Sequence, residues 1–259
     1  MKAIALTFDY NISGSGSLDS IGRHWAKNVY KNKEFIFRYS AASYATFIHH
    51  NPEIKFDIHT DDVNLLSNEL AKYNVDTSNV EIVDWRNELS IYKKHKYPFE
   101  SVMQLVKKYK DSEDYLLKLD NDLICKSKLA IDENCILAWK YERNVSNGNP
   151  LWGEIHICNS TVGTTDFNLY NMGVMGLPKG FWVHYDEFLN VCDNMINIDI
   201  SNITDVNSKI YHCCEQTAYN WVWHKYNYKI NQAQDYFDHY FETKIECVKD
   251  AQYLLREKQ

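Results

Sequence analysis

The sequence predicts an α/β fold with a mostly parallel central sheet and helices on both faces. In roughly the first 122 residues, apolar runs typical of buried strands alternate with amphipathic stretches of helical period, and this β-α-β order is typical of parallel sheets. No low-complexity linker divides the 259 residues, which include only 9 Gly and 4 Pro. We therefore expect a single domain.

The alternating half contains four predicted strands and four helical stretches. The strands are Lys2–Tyr10, Ile54–Asp62, Val80–Trp85 and Asp114–Asp122. The helical stretches are Asp19–Tyr30, Ser40–His50, Val63–Tyr73 and Phe99–Lys110. The second of these ends just before Pro52, which disfavours helix in the preceding residue.

Beyond residue 122 the pattern becomes mixed, with strands that follow one another through loops. The predicted strands are Cys135–Glu142, Glu154–Cys158, Leu169–Leu177 and a strand-like Tyr228–Ala233. Helices are predicted over Phe181–Met195 and Cys214–Tyr226. The chain therefore passes from an alternating half to a mixed half.

Charge and composition exclude several classes of protein. The net charge of −7 and the isoelectric point near 5.8 disfavour binding to nucleic acid or to an anionic membrane. The N-terminal apolar run is too short for a signal peptide, and no apolar stretch is long enough to span a membrane. The seven cysteines have no disulfide spacing, so we expect reduced thiols and a cytoplasmic location.

The segment Leu116–Lys126 contains the most informative motif. An apolar strand there ends in Asp120-Asn121-Asp122, and a period of two places both carboxylates on one side of the strand end. Ligands of open α/β sheets bind beyond the carboxyl ends of the strands. Two hard oxygen donors at that place suit Mg²⁺ or Mn²⁺, although Asp-Asn-Asp is also favourable in a plain turn.

This segment resembles the Asp-x-Asp signature of glycosyltransferases with the A-type fold. Leu169–Pro178 resembles the family's Asn-x-Gly strand, and Cys213–Trp223 resembles the helix that opens with an acidic residue and Gln. The resemblance implies a single glycosyltransferase domain over residues 1–259, with a Rossmann-like sheet. A nucleotide-binding half would cover about 1–122 and an acceptor-binding half about 123–259.

The resemblance also implies a metal-dependent reaction. A sugar would pass from a nucleotide-sugar donor, expected to be a UDP-sugar, to a hydroxyl of a glycan or similar acceptor. Asp120 and Asp122 would bind Mn²⁺ or Mg²⁺, which neutralises the leaving diphosphate. His239 would be the third ligand. The family's His-x-x-Gly-x-x-Lys-Pro motif is absent, however, so Asp235 and Asp238 stay as substitutes.

On the donor side, the resemblance assigns base, ribose or phosphate contacts to residues near the strand ends. These are Tyr10, Asp61, Asp62, Arg86 and Asn121. Plain structural roles compete with these assignments: a packed ring for Tyr10, a helix N-cap for Asp61 or Asp62, and a surface ion pair for Arg86.

On the acceptor side, the resemblance implies a sugar pocket near Asn171 and Gly173, with Gln216 and Trp152 as further contacts. Glu215 would be the general base if the reaction inverts the anomeric carbon, and its alternative role is a capping acid in the first turn of a helix. In retaining relatives no separate base is required. Both stereochemical outcomes stay open.

Two other classes of protein remain as alternatives. A non-catalytic nucleotide- or sugar-binding protein could keep the same scaffold, although the intact Asp-x-Asp argues against it. A Rossmann-type methyltransferase is suggested by the Gly/Ser-rich loop Asn11–Ser17, which lacks the G-x-G-x-x-G pattern.

Overall fold

A computed structural model describes most of the chain. The described residues are 1–8, 32–86, 100–109, 115–144, 163–164, 167–196, 214–240 and 244–256. The strands are β1 (Lys2–Thr7), β2 (Lys55–Thr60), β3 (Val80–Asp84), β4 (Tyr115–Leu119), β5 (Leu123–Cys125), β6 (Ile136–Asn144), β7 (Asn168–Pro178), β8 (Ile230–Gln232) and β9 (Phe237–His239). The α-helices are α1 (Lys33–His50), α2 (Val63–Ala71), α3 (Glu100–Tyr109), α4 (Tyr185–Ile196), α5 (Cys214–Lys225) and α6 (Lys244–Arg256).

The main sheet has the strand order β3-β2-β1-β4-β7-β6-β8. The four strands of the first half are parallel to one another, and β8 is parallel to β6. Strand β7 runs antiparallel to both β4 and β6. This topology confirms the predicted α/β fold with a mostly parallel sheet, and it places strands from both halves of the chain in one sheet.

Helices cover both faces of this sheet, as predicted. Along β1, Ala3 and Ala5 belong to one apolar cluster, whereas Ile4 and Leu6 belong to another. Helices α1, α2 and α6 contribute to the first cluster, and α3, α4 and α5 contribute to the second. The alternation along β1 follows the two-residue period of a strand that is buried on both sides.

The fourth predicted strand, Asp114–Asp122, is shorter in the structure. Strand β4 ends at Leu119, and the chain turns through the Asp-Asn-Asp segment before β5 begins at Leu123. Strand β5 then leaves the main sheet and pairs with β9, in antiparallel register, as a separate two-stranded sheet. The turn chemistry of Asp and Asn therefore ends the strand before either carboxylate.

Other boundaries also differ from the sequence prediction. Helix α1 begins at Lys33, seven residues earlier than predicted, because Asn32 caps it by accepting a hydrogen bond from the backbone N–H of Phe35 (3.0 Å). A 3-10 helix, Lys179–His184, replaces the first turn of the helix predicted from Phe181. The predicted helix Asp19–Tyr30 and strand Glu154–Cys158 lie outside the described residues.

Among the described helices, none combines the length and the hydrophobicity that crossing a membrane requires.

Candidate metal centre

Asp120, Asp122 and His239 come together at the carboxyl end of β4. One side-chain donor atom from each residue lies within 4.8 Å of the other two. The backbone N–H of Asp120 donates to Gly173 O on β7 (2.7 Å), which extends the β4–β7 pairing past the end of β4. The structure therefore brings together the three residues that the sequence suggested as metal ligands.

The small sheet of β5 and β9 explains why His239 lies beside Asp122. Leu123 is paired with His239, and the N–H of Tyr240 donates to the backbone oxygen of Asp122 (2.9 Å). These backbone contacts join residues that are far apart in sequence. The imidazole therefore reaches the second carboxylate from the C-terminal part of the chain.

The donor set fits a hard divalent cation. His239 Nε2 lies 3.2 Å from Asp122 Oδ1. Two neighbouring ligand atoms of an octahedral Mg²⁺, each about 2.1 Å from the ion, lie about 3 Å apart. Carboxylate oxygens suit Mg²⁺ and Mn²⁺, and an imidazole is tolerated by Mn²⁺ and other transition metals.

Two buried lysines that the sequence analysis missed accompany the carboxylates. Lys118 forms an ion pair with Asp120 and donates to Met172 O (2.9 Å). Lys244, whose side chain is only 4% exposed, forms an ion pair with Asp122 Oδ2. The pairing leaves the cluster close to electrically neutral, because each carboxylate faces one ammonium group.

Lys244 occupies an unusual place for a lysine. It is the first residue of α6, where the helix dipole disfavours a positive charge. Burial adds to this cost, since a buried charge is tolerated only when it is paired. The ion pair with Asp122 offsets both effects.

The electrostatics keep Asp122 ionised. Burial alone would raise the pKa of the Asp122 carboxyl, but the charge of Lys244 and the contact with His239 together hold it well below its usual range. For His239, burial would lower the pKa of the imidazole, whereas Asp122 and then Asp120 raise it, with a net shift upward. The carboxylate is therefore available as a ligand across the physiological pH range.

Gly173 and Trp139 pack against His239. A Cβ at Gly173 would lie 3.1 Å from His239 Cε1 and 2.8 Å from Asn171 Oδ1, so the glycine makes room for the imidazole. The Trp139 ring meets the His239 ring edge-on, with 5.9 Å between centroids. Gly173, which the resemblance assigned to the sugar pocket, thus lies against His239 of the Asp120–Asp122–His239 cluster.

Side-chain amides join α5 to the part of β7 that lines the centre. Gln216 Oε1 accepts a hydrogen bond from the N–H of Met172 (3.3 Å), and Asn220 bonds both backbone groups of Tyr170. Asn171 Oδ1 accepts from the N–H of Gly173 (2.6 Å). Gln216 and Asn171 therefore contact the backbone beside the metal centre, and Met172 O in turn receives Lys118.

Helix α1 fixes the segment that follows the acidic motif. Its buried Ser43 and Thr46 hydroxyls accept hydrogen bonds from the N–H groups of Leu123 (3.2 Å) and Cys125 (2.9 Å). Because β5 uses its other side for β9, these side chains satisfy backbone groups that have no strand partner. The acidic turn is thus held between β4 and a strand anchored on α1.

Three of the described donor-side residues, Asp61, Asp62 and Arg86, follow β2 and β3 at the carboxyl edge of the sheet. Asp61 is buried after β2. Asp62 is the N-cap of α2 through Leu65 N (3.0 Å) and pairs with Lys33 Nζ (2.7 Å). Arg86, 66% exposed, forms an ion pair with Asp84. For Asp62 and Arg86, the structure thus contains the cap and the surface ion pair that were their alternative roles.

Asn121 lies between the two carboxylates in sequence and is buried. Its Nδ2 has no hydrogen-bond partner among the described residues. Tyr10 and Trp152 lie outside the described residues, and of Glu215 only the backbone, in the first turn of α5, is described. The roles suggested for these three residues remain predictions.

Comparison with solved structures returns glycosyltransferases. The apo form of glycosyltransferase GlyE from Streptococcus pneumoniae TIGR4 is similar over 90% of this chain, with 15% identity and a TM-score of 0.43. The galactosyltransferase LgtC, solved in complex with donor and acceptor sugar analogs, is similar over 80% of this chain, with 14% identity and a TM-score of 0.42.

The chain spans about half of GlyE (46%) and 66% of LgtC. No family profile matches the sequence, and no curated protein matches it. Both similarities are distant and concern the fold.

Proposed function

We propose that this chain is a metal-dependent glycosyltransferase that moves a sugar from a nucleotide-sugar donor, a UDP-sugar, to a hydroxyl of a glycan or similar acceptor. The observation that supports this most is the cluster of Asp120, Asp122 and His239 at the carboxyl end of β4. Ligands of open α/β sheets bind beyond that edge, and diphosphates bind there through a divalent cation.

In this proposal some side chains bind the metal ion that holds the donor, and others position those ligands. Bound Mn²⁺ or Mg²⁺ supplies Lewis acidity that neutralises the leaving diphosphate. Lys244 holds Asp122 Oδ2, so that Oδ1 faces His239. Lys118 restrains Asp120 in the same way from within the sheet. The two lysines are thus positioning residues for the ligands.

Asn121 supports a polar ligand at this place. A buried N–H group with no partner costs about 1–3 kcal/mol, and a ligand oxygen would remove that cost. We assign the Asn121 amide to the donor, next to the metal ligands. Asp61 or Asp62 is assigned to the base or ribose of the donor; Asp62 also caps α2 and pairs with Lys33.

The remaining assignments follow the sequence analysis. Tyr10 would stack on the base, and Arg86 would reach a phosphate or the sugar if it leaves Asp84. The acceptor half, about residues 123–259, would provide Asn171, Gly173, Gln216 and Trp152 near the sugar. Glu215 is the proposed base for an inverting reaction.

A thermal-shift experiment tests the proposal. UDP with Mn²⁺ should stabilise the wild-type protein, by about 2.7 kcal/mol at a ligand concentration 100 times the Kd. Asp120→Asn should lose this stabilisation and still fold, with a Tm lowered by the loss of the carboxylate beside buried Lys118 but less than in Asp122→Asn, because the Asp120 side chain is 41% exposed. Asp122→Asn should lose it too, with a lower starting Tm, since Lys244 becomes a buried charge without its carboxylate.

Asp76→Asn is the matched control, because it makes the same chemical change at an exposed turn. It should respond to UDP and Mn²⁺ like the wild type. Equal stabilisation of Asp120→Asn, or stabilisation by S-adenosylmethionine without any metal effect, would contradict the proposal. Binding of UDP-sugar without slow hydrolysis would instead favour the non-catalytic binder.

A further inference from the structure

A concave cavity of about 660 Å³ lies between α1, α2 and α6, and it shares no residue with the metal centre. Helix α1 contributes Phe35 and Arg38 to its wall, the end of α2 contributes the segment around Glu69 and Asn74, and α6 contributes one face. Small-molecule sites in proteins have volumes of about 300–1,000 Å³. The cavity therefore has the size of a ligand site.

Positive charge collects in this cavity although the chain is acidic overall. Arg38, Lys249 and Arg256 line it, and all three are exposed. Within the described part of the chain, none of the three has a carboxylate at ion-pair distance. Three uncompensated cations in one concavity of a chain with net charge −7 favour an anionic ligand.

Glu69, which also lines the cavity, limits the kind of anionic ligand that can bind there. Its side chain is only 9% exposed, and Oε1 pairs with Lys72 Nζ (2.6 Å). Its other oxygen, Oε2, is buried with no hydrogen-bond partner among the described residues. A bare anion would be repelled by this carboxylate, whereas a ligand that also carries hydroxyl groups can donate to it. Asn74 and Gln252 add amide groups to the same wall.

A second cavity of about 360 Å³ adjoins the first and shares Lys249, Gln252 and Arg256 with it. Its further lining residue is Tyr253, whose side chain is 64% exposed on α6. An exposed phenol ring offers a flat apolar face with a polar edge. Such a face can pack against a sugar ring whose charged substituent points toward Arg38 and Arg256.

We propose that these two cavities, together the α1–α2–α6 groove, bind a phosphorylated sugar, free or as part of a larger molecule. The planar guanidinium groups of Arg38 and Arg256 match phosphate geometry, and Lys249 adds a point charge. Glu69 and the amides take the sugar hydroxyls. This site is separate from the donor site and does not depend on the proposed function.

Isothermal titration calorimetry measures the binding of ligands to the groove. EDTA in the buffer removes divalent cations, so that phosphate cannot bind through a metal ion elsewhere. A hexose 6-phosphate should bind saturably, inorganic phosphate should bind more weakly, and the uncharged hexose should not bind. The variant Lys249→Gln/Arg256→Gln should weaken hexose-phosphate binding at least tenfold and keep the wild-type Tm. Lys and Arg are exchanged for Gln at little cost in helix propensity.

Lys107→Gln/Lys229→Gln is the control, because it removes the same charge from exposed positions outside the groove. It should bind like the wild type. The same affinity in both double variants would place the ligand elsewhere and overturn the proposal, as would the absence of saturable binding. Binding only to phosphatidylglycerol vesicles, with none to free hexose phosphate, would assign the face to a membrane and also overturn it.

Discussion

Gly173 and Gly176 lie three residues apart on β7, and different side chains occupy the space beside each of them. A Cβ at Gly176 would lie 2.1 Å from Tyr115 Oη and 2.7 Å from Leu137 Cβ, deep in the sheet. A Cβ at Gly173 would meet the imidazole of His239 and the amide of Asn171 instead. Gly176 is therefore required by the core, and Gly173 by the place of the His239 imidazole in the proposed metal site.

We expect Gly176→Ala to destabilise the fold by about 3 kcal/mol or more, because overpacking displaces the rigid Tyr115 ring or the strand.

Gly173→Ala should keep most of the unfolding free energy but weaken Mn²⁺ binding about 10–100-fold, as loss of ligand support does. Chemical denaturation and metal titration of both variants measure the two effects. A Gly173→Ala protein with wild-type Mn²⁺ affinity would contradict the placement of His239 as a ligand.

At the scale of elements, α1 acts on the metal centre through side-chain hydrogen bonds. Thr46→Val keeps the shape of the side chain but removes the acceptor for the N–H of Cys125. The loss should be about 1–3 kcal/mol of unfolding free energy, since the buried N–H is left without a partner. Thr46→Ser keeps the hydroxyl and should retain more stability than Thr46→Val in urea denaturation. The reverse order would show that packing of the methyl group matters more than the hydrogen bond.

Elements with a clear period within one segment were predicted, and the three-residue strand β8 lies within the predicted strand-like Tyr228–Ala233, but β5, β9 and the long helix α6 were not predicted. The buried runs of β1, β2 and β4 and the helical period of α2 and α3 carry their signal within one segment. The strands β5 and β9 contain three residues each, so no period is visible, and their pairing depends on residues distant in sequence. Helix α6 has Val248, Ala251 and Leu255 at helical spacing, a signal that the sequence analysis did not use.

The approach of Asp120, Asp122 and His239 to one another was predicted, but the two lysines beside them were not. Asp120 and Asp122 follow a buried strand, and this local pattern located them. The two lysines have no such pattern: Lys118 interrupts an apolar strand, and Lys244 is the first residue of a helix, with no sequence signal of its burial. Their roles come from tertiary contacts with the carboxylates, which no single segment of the sequence contains.

Across the whole molecule, a buried polar chain links β1, β2 and α3. Lys2 pairs with Asp57 Oδ2 (2.6 Å), which also accepts from the hydroxyl of Tyr109 (2.7 Å). Because that hydroxyl donates its proton to Asp57, His59 Nε2 must donate to the Tyr109 oxygen, 2.8 Å away. Nε2 therefore carries a proton, and a second proton on the buried Nδ1 would have no hydrogen-bond acceptor among the described residues, which favours the neutral imidazole.

This arrangement predicts weaker stability in acid. Burial, and then the charge of Lys108, lowers the pKa of His59 from 6.5 to about 4. The unfolded chain therefore binds this proton at a higher pH than the folded chain does, and the unfolding free energy should fall as pH drops from 6.5 to 4. The loss from this residue is at most about 3 kcal/mol.

Urea denaturation of the wild type and of His59→Gln across this pH range measures the effect. The variant keeps a donor toward Tyr109 but cannot titrate, so its unfolding free energy should depend less on pH. The exposed His224→Gln serves as the control and should follow the wild type. A His59→Gln protein with an unchanged pH dependence would disprove the assignment of a buried neutral imidazole.

The ion pair between Lys244 and Asp122 joins positions 122 residues apart. Closing so long a loop costs entropy before any contact is gained, so such contacts form late in folding. The cation-binding cluster should consequently be absent from folding intermediates that already contain the parallel strands. Time-resolved Mn²⁺ binding during refolding would then report the final step of assembly, when the C-terminal strand and helix dock.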